Sequence, residues 1–154
     1  MRTLPTSNTI IDDRLLVALL VGEAVAVPDE GLWTTGCWYY RACRAAILGG
    51  AGALSGPFRG LPPDQQGAAI AALLGLPDDI ALPDPRALVP TMVAVSGRHP
   101  RLNLMNVEAV AAAVLLEATV LLSEPAARGV LPEIFSAERV PWRAIRPRRR
   151  RGAR

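Results

Sequence analysis

The chain has 154 residues, enough for one domain with a buried core, and 51% of them are hydrophobic, which excludes a largely disordered protein. No apolar run reaches the roughly 18 uncharged residues that a membrane span needs. The longest candidate, residues 109–122, is interrupted by Glu117. The amino terminus carries no apolar block of the signal-peptide type, so we expect a cytoplasmic protein without a membrane segment.

The charge is unevenly distributed along the chain. Residues 1–142 hold ten arginines against all fourteen acidic residues, a net charge of −4, and residues 143–154 hold seven more arginines. We expect one domain at residues 1–145 and a disordered tail at residues 146–154, because the tail lacks apolar periodicity and repels itself. The tail is either a solvated terminus or a ligand for RNA, DNA or an acidic partner. The arginines that would bind nucleic acid are Arg146, Arg148, Arg149, Arg150 and Arg151.

Strand-like and helix-like segments alternate along residues 9–145. The β-branched run at residues 9–11 is followed by two aspartates, either of which can cap the next helix. Thr34 or Thr35 can cap a helix that begins at Gly36, and Asp64 can cap a later one. In chain order the predicted elements are strand 9–11, helix 15–20, strand 31–35, helix 36–48, helix 64–76, strand 80–82, helix 86–99, helix 107–117, strand 118–124, a short helix within 128–139 and strand 140–145.

This alternation predicts an α/β fold, a three-layer α/β/α sandwich around a mostly parallel sheet. Sites in such folds lie beyond the carboxyl ends of the strands. Asp12 and Glu124 would both lie there, and Glu108, which opens the predicted helix 107–117, would lie near the same rim.

Most familiar catalytic motifs are absent from the sequence. The glycine-rich segment at residues 49–56 lacks a following Lys-Ser/Thr pair, and no Gly-x-Ser-x-Gly elbow exists. Cys37 and Cys43 lie on different faces of one predicted helix, so we expect free thiols. Carboxylates remain: three of them at strand ends and a helix start can hold Mg²⁺ or Mn²⁺, although aspartates at helix starts are more often caps.

In the order of its elements the chain resembles the PIN-domain proteins, the ribonuclease fold of many bacterial toxin–antitoxin toxins. The segment "IIDDRLLVALL" resembles the family's opening strand, acidic residue and helix, and "LNLMNVEAVAAAVLLEATVLLSE" resembles its later half. The resemblance implies a Mg²⁺ or Mn²⁺ site for RNA hydrolysis at Asp12, Glu108 and Glu124, with Asp13 as the alternate for Asp12. It also implies an antitoxin-like protein partner and a homodimer.

The segment after the second strand departs from this pattern. The family usually carries a glutamate on the following helix, and here "TTGCWYYRACRAA" offers Tyr40 and Arg41. An arginine at this position would repel a cation or substitute a positive charge for one. Two functions therefore stay open: a metal-dependent ribonuclease of toxin–antitoxin type, or a catalytically degenerate PIN-like module that binds RNA or protein.

Overall fold

A computed structural model of the protein describes residues 7–50, 52 and 54–150. The described residues form a three-layer α/β/α sandwich around one all-parallel sheet, which confirms the predicted fold class. The strands are β1 (Thr9–Ile11), β2 (Leu32–Trp33), β3 (Ile80–Ala81), β4 (Thr119–Leu122) and β5 (Trp142–Ala144). They lie in the order β3-β2-β1-β4-β5.

Eight helices surround this sheet in the part of the chain that the structure describes. They are α1 (Asp13–Leu20), α2 (Gly36–Leu48), α3 (Gly56–Arg59), α4 (Pro63–Leu74), α5 (Pro85–Arg98), α6 (Leu104–Leu115), α7 (Glu124–Ala127) and α8 (Leu131–Ala137). Asp12 caps α1 and Thr35 caps α2, each of them one of the two residues predicted for that role. Asp64 does not cap its helix, because α4 begins one residue earlier at Pro63.

The two faces of the sheet are buried in separate hydrophobic clusters. Successive side chains of a strand point to opposite faces. Ile10 and Val120 therefore pack with α5, α6 and α8, while Ile11 and Leu121 pack with α1 and α4. Since both central strands are buried on both sides, they read in the sequence as continuous apolar runs.

Two of the boundaries that differ from the prediction concern the candidate site. Helix α6 begins at Leu104 because the Asn103 side chain accepts a hydrogen bond from the Asn106 amide and caps it. Glu108 therefore lies one turn inside the helix and does not open it. Strand β4 ends at Leu122, so Glu124 is the first residue of α7 and not the last of the strand.

The aromatic cluster of α2 belongs largely to the fold. The Trp38 side chain is buried in the core, and the Tyr39 hydroxyl donates to the Leu73 carbonyl at 2.7 Å. Tyr40 is 63% exposed. The homodimer implied by the resemblance stays a prediction.

The strand order reverses direction between β1 and β4. The chain runs from β1 outward to β2 and β3, and then returns to the other side of β1 for β4 and β5. In sheets of this kind the crevice outside the carboxyl ends of the two strands at the reversal is where ligands bind. Asp12 follows β1 and Ser123 follows β4, so both residues lie at this switch point. None of the helices that the structure describes is long and apolar enough to cross a membrane.

Candidate functional site

Asp12 is the buried centre of the switch point. Its Oδ1 accepts a hydrogen bond from the Leu15 amide at 2.9 Å, which caps α1. Its Oδ2 accepts from both the amide and the hydroxyl of Ser123, at 2.7 and 2.6 Å. The carboxylate therefore joins the end of β1, the start of α1 and the end of β4.

Burial raises the pKa of Asp12, because a desolvated carboxylate is disfavoured as an anion. The hydrogen bonds from Ser123 and Leu15 lower the pKa and oppose that effect without cancelling it. The three donors, the Leu15 amide and the amide and hydroxyl of Ser123, together occupy both oxygens of Asp12.

Asp13 lies beside Asp12 and is paired with an arginine. Its side chain is only 7% exposed, and the Arg41 Nη1 atom lies 3.0 Å from its Oδ2. That contact is an ion pair without hydrogen-bond geometry, since Oδ2 has no hydrogen-bond donor among the described residues. Burial and the charge of Asp12 raise the pKa of Asp13, and the Arg41 charge lowers it.

A cavity of about 230 Å³ opens next to this ion pair. We call it the switch-point cavity; its lining includes Asp13, Arg14, Arg41, Asn106 and Ser123. It therefore contains one carboxylate against two guanidinium groups. Its polar lining suits an anion better than a cation.

Glu108 does not line the switch-point cavity. Its Oε1 accepts a hydrogen bond from the Cys37 amide at 2.8 Å, and its Oε2 accepts from the Cys37 thiol at 3.3 Å. The carboxylate is thus a cap for α2, supplied from α6. Glu108 is absent from the switch-point cavity because α6 begins earlier than predicted, so that Asn106 lies at the cavity instead.

Glu124 points toward the carboxy-terminal segment. Both of its oxygens accept from Arg146 Nη2, at 2.7 and 2.9 Å, and its side chain is 40% exposed. Each of the three predicted metal ligands therefore has its own partners: Ser123 and Leu15 for Asp12, Cys37 for Glu108, and Arg146 for Glu124. The structure does not bring them together.

The arginine-rich segment is partly held against the domain, in contrast to the disorder expected from residue 146. Arg148 and Ala24 exchange two backbone hydrogen bonds of 2.8 and 2.9 Å, and Arg146 pairs with Glu124. Ile145 packs against the cluster of α1 and α4, which places the following residues on the surface near α1. Arg151 and the rest of the predicted tail lie outside the described residues.

The four predicted acidic residues do not converge on one point. A shared Mg²⁺ or Mn²⁺ site of the predicted kind would need their carboxylate oxygens around a single ion. In the described ranges no three His, Cys, Asp or Glu side chains form a group that could hold a metal. Asp13, the one carboxylate at the cavity, already has a cation beside its Oδ2 atom.

Three further residues of the site were not singled out from the sequence: Arg14, Asn106 and Ser123. Ser123 is the next-to-last residue of the predicted strand 118–124, and that position alone marks it as a switch-point residue. The sequence does not mark Arg14 or Asn106 as site residues, because an arginine on a helix surface and an asparagine in a loop are both common. Arg41 was recognised, and the structure puts it 3.0 Å from a carboxylate of this site.

Comparison with known proteins gives no family assignment. No protein-family model matches the chain. None of the curated proteins matches it either. The fold and the site geometry are therefore the basis for a functional proposal.

Proposed function

We propose that the chain is a PIN-like module that binds RNA through its backbone phosphates and does not cut it with a metal ion. The five-stranded parallel sheet in the order β3-β2-β1-β4-β5 is compatible with a PIN-like fold. The absence of convergent carboxylates in the described residues argues against metal-assisted hydrolysis.

A row of arginines that starts at the switch point and extends past the carboxyl end of α1 carries this proposal. The switch-point cavity shares Arg14 and Ser123 with a neighbouring cavity of about 200 Å³, which Arg146 also lines. That second cavity shares Glu23 and Pro57 with a third, of about 640 Å³. We call the arginines of the three cavities the arginine track: Arg41, Arg14, Arg146, Arg149 and Arg150.

The charge along the three cavities favours a polyanion. The five arginines of the track face three carboxylates, those of Asp13, Glu23 and Glu124. A strand that pairs its phosphates with arginines releases condensed cations, so its affinity falls with salt. Three adjoining cavities provide the extended surface that a chain of phosphates needs and that a single small anion does not.

Charge reversal at the far end of the track tests the proposal. We expect the double variant Arg149→Glu/Arg150→Glu to bind a fluorescent single-stranded RNA at least about tenfold more weakly than the wild type, because two attractive contacts become repulsive. Fluorescence anisotropy at low and moderate salt measures the affinity. The wild type should lose more affinity with salt than the variant does.

Arg139→Glu is the control, since Arg139 is exposed and lines none of these three cavities. It should retain wild-type affinity. Equal RNA binding by the wild type and the double variant would rule out the arginine track as the binding surface. Loss of the labelled RNA by cleavage in Mn²⁺ would favour the ribonuclease instead.

A further inference from the structure

Asp13 is a buried carboxylate that needs a positive charge beside it. Its Oδ1 accepts a hydrogen bond from the Arg14 amide at 2.9 Å, and its Oδ2 has no hydrogen-bond donor among the described residues. An ionised carboxylate withdrawn from water is costly unless a counter-charge lies close to it. Arg41 Nη1, 3.0 Å from Oδ2, supplies that charge.

Arg41 uses only one part of its guanidinium group for this contact. Nη1 faces Asp13 Oδ2 and also lies 3.3 Å from the Met105 sulfur. Within the described part of the chain, Nε and Nη2 make no hydrogen bond or ion pair. The side chain is 50% exposed and lines the switch-point cavity, so its remaining N–H groups are available to a ligand there.

A guanidinium in this position can neutralise the carboxylate and attract a phosphate, as a bound metal ion does. A divalent ion in a nucleic-acid site contacts protein carboxylates on one side and a phosphate oxygen on the other. A planar guanidinium has five N–H donors, and it can pair with a carboxylate and a phosphate through different edges. It also repels a second cation from the same carboxylate.

We propose that Arg41 is a built-in cation that replaces a divalent metal at Asp13 and joins this carboxylate to a phosphate of the bound nucleic acid. The phosphate half of the proposal rests on the RNA binding proposed above. The cation half does not, because it concerns only Asp13, Arg41 and a metal ion.

Removal of the guanidinium tests both halves. Thermal unfolding and RNA affinity are measured for the wild type and for Arg41→Ala, each in EDTA and in millimolar Mn²⁺. We expect Mn²⁺ to raise the Tm of Arg41→Ala by several degrees and to leave the wild-type Tm unchanged. In EDTA the variant should bind RNA at least about tenfold more weakly, and Mn²⁺ should restore part of that loss. Divalent ions ordinarily weaken phosphate binding by competition, so a restoration is specific to the vacated site.

Three further variants make the result decisive. Arg44→Ala, which removes an exposed arginine one turn along α2, should behave like the wild type in every measurement. Arg41→Lys keeps a positive charge and should show no response to Mn²⁺. Asp13→Asn/Arg41→Ala lacks the carboxylate, and its Tm should also be independent of Mn²⁺.

Each outcome decides one of the two halves. An Arg41→Ala protein that is unfolded in EDTA and folds on addition of Mn²⁺ supports the cation half, and one that ignores Mn²⁺ overturns it. Wild-type protein stabilised by Mn²⁺ as strongly as the variant also overturns it. A Tm response without any RNA binding by the wild type would leave the cation half standing and would defeat the proposed function.

Discussion

At the scale of single residues, Asp12 is a structural acceptor. Its carboxylate is fully buried and takes hydrogen bonds from the Leu15 amide and from the amide and hydroxyl of Ser123. Hydrogen bonds to an ionised group are stronger than those between neutral groups. The Asp12 side chain therefore holds the start of α1 against the end of β4, and in this way it stabilises the folded state.

Ser123→Ala removes one of these donors and should destabilise the fold by about 1–3 kcal/mol at neutral pH, as expected for a buried charge that loses a partner. The pKa of Asp12, already raised by burial, would rise further. Because the folded state then holds its proton more tightly than the unfolded state, the defect should shrink as the pH falls from neutrality toward the ordinary value near 3.8. Urea unfolding at pH 7.5 and 4.5 measures both effects.

Ser96→Ala is the control for this substitution, because Ser96 is exposed on α5. Its effect should stay within about 0.5 kcal/mol at either pH. A Ser123→Ala protein as stable as the wild type at pH 7.5, or one whose defect grows toward pH 4.5, would contradict the role given to the hydroxyl.

At the scale of elements, α6 supplies part of the amino-terminal cap of α2. Thr35 accepts a hydrogen bond from the Trp38 amide at 3.2 Å, and Glu108 of α6 accepts from the Cys37 amide at 2.8 Å. The first amides of a helix have no partners within it, and a carboxylate near them is stabilising. Glu108 therefore positions α2, the helix that carries Arg41, relative to α6, the helix that carries Asn106.

Glu108→Ala should cost about 0.5–2 kcal/mol, the usual range for loss of a cap. Burial, the hydrogen bond to Glu108 and the negative charge of Glu108 raise the pKa of the Cys37 thiol to about 11. This pKa should fall in the variant, because the two contributions of Glu108 are lost. The rate of Cys37 alkylation against pH, followed by mass spectrometry of its peptide, reports that change. Since burial is the largest cause, the pKa should fall only part of the way to its ordinary value.

Glu133→Ala is the control, because Glu133 is exposed in the first turn of α8. Among the described residues it makes no hydrogen bond to a thiol. Its alkylation profile should match that of the wild type. An unchanged Cys37 profile in Glu108→Ala would mean that the carboxylate does not act on this thiol.

The elements themselves were predictable because their signals are local. The β-branched run at residues 9–11, the cap at Thr35 and the apolar run before Ser123 each report a single strand or helix start. The site was less predictable, because it depends on which way side chains point. The predicted start of α6 is three residues late, and this put Glu108 near the rim of the strand ends. In the structure Asn106, and not Glu108, lines the cavity there.

At the scale of the whole molecule, an acidic amino-acid composition is combined with a surface region rich in arginine. Residues 1–142 carry a net charge of −4. Asp12 and Glu108 nevertheless accept from backbone amides, and Asp13 and Glu124 pair with arginines. Arg149 and Arg150 add positive charge at the third cavity. The distribution of charge in three dimensions, and not the net charge, is what favours a polyanionic ligand.

The association of this segment with the domain could not be read from the sequence. Its arginines repel one another, but the two backbone hydrogen bonds between Ala24 and Arg148 do not depend on side chains. The ion pair between Arg146 and Glu124 joins residues 22 positions apart, and nothing local marks it.

Metal-independent binding of intact RNA is the central claim, and one titration tests it most directly. Labelled single-stranded RNA is titrated with the wild-type protein in EDTA and, separately, in Mn²⁺, and the same samples are then run on a denaturing gel. We predict binding in EDTA, no gain in affinity from Mn²⁺ and full-length RNA in every lane. Binding that requires Mn²⁺, or RNA shortened by the protein in its presence, would contradict the account.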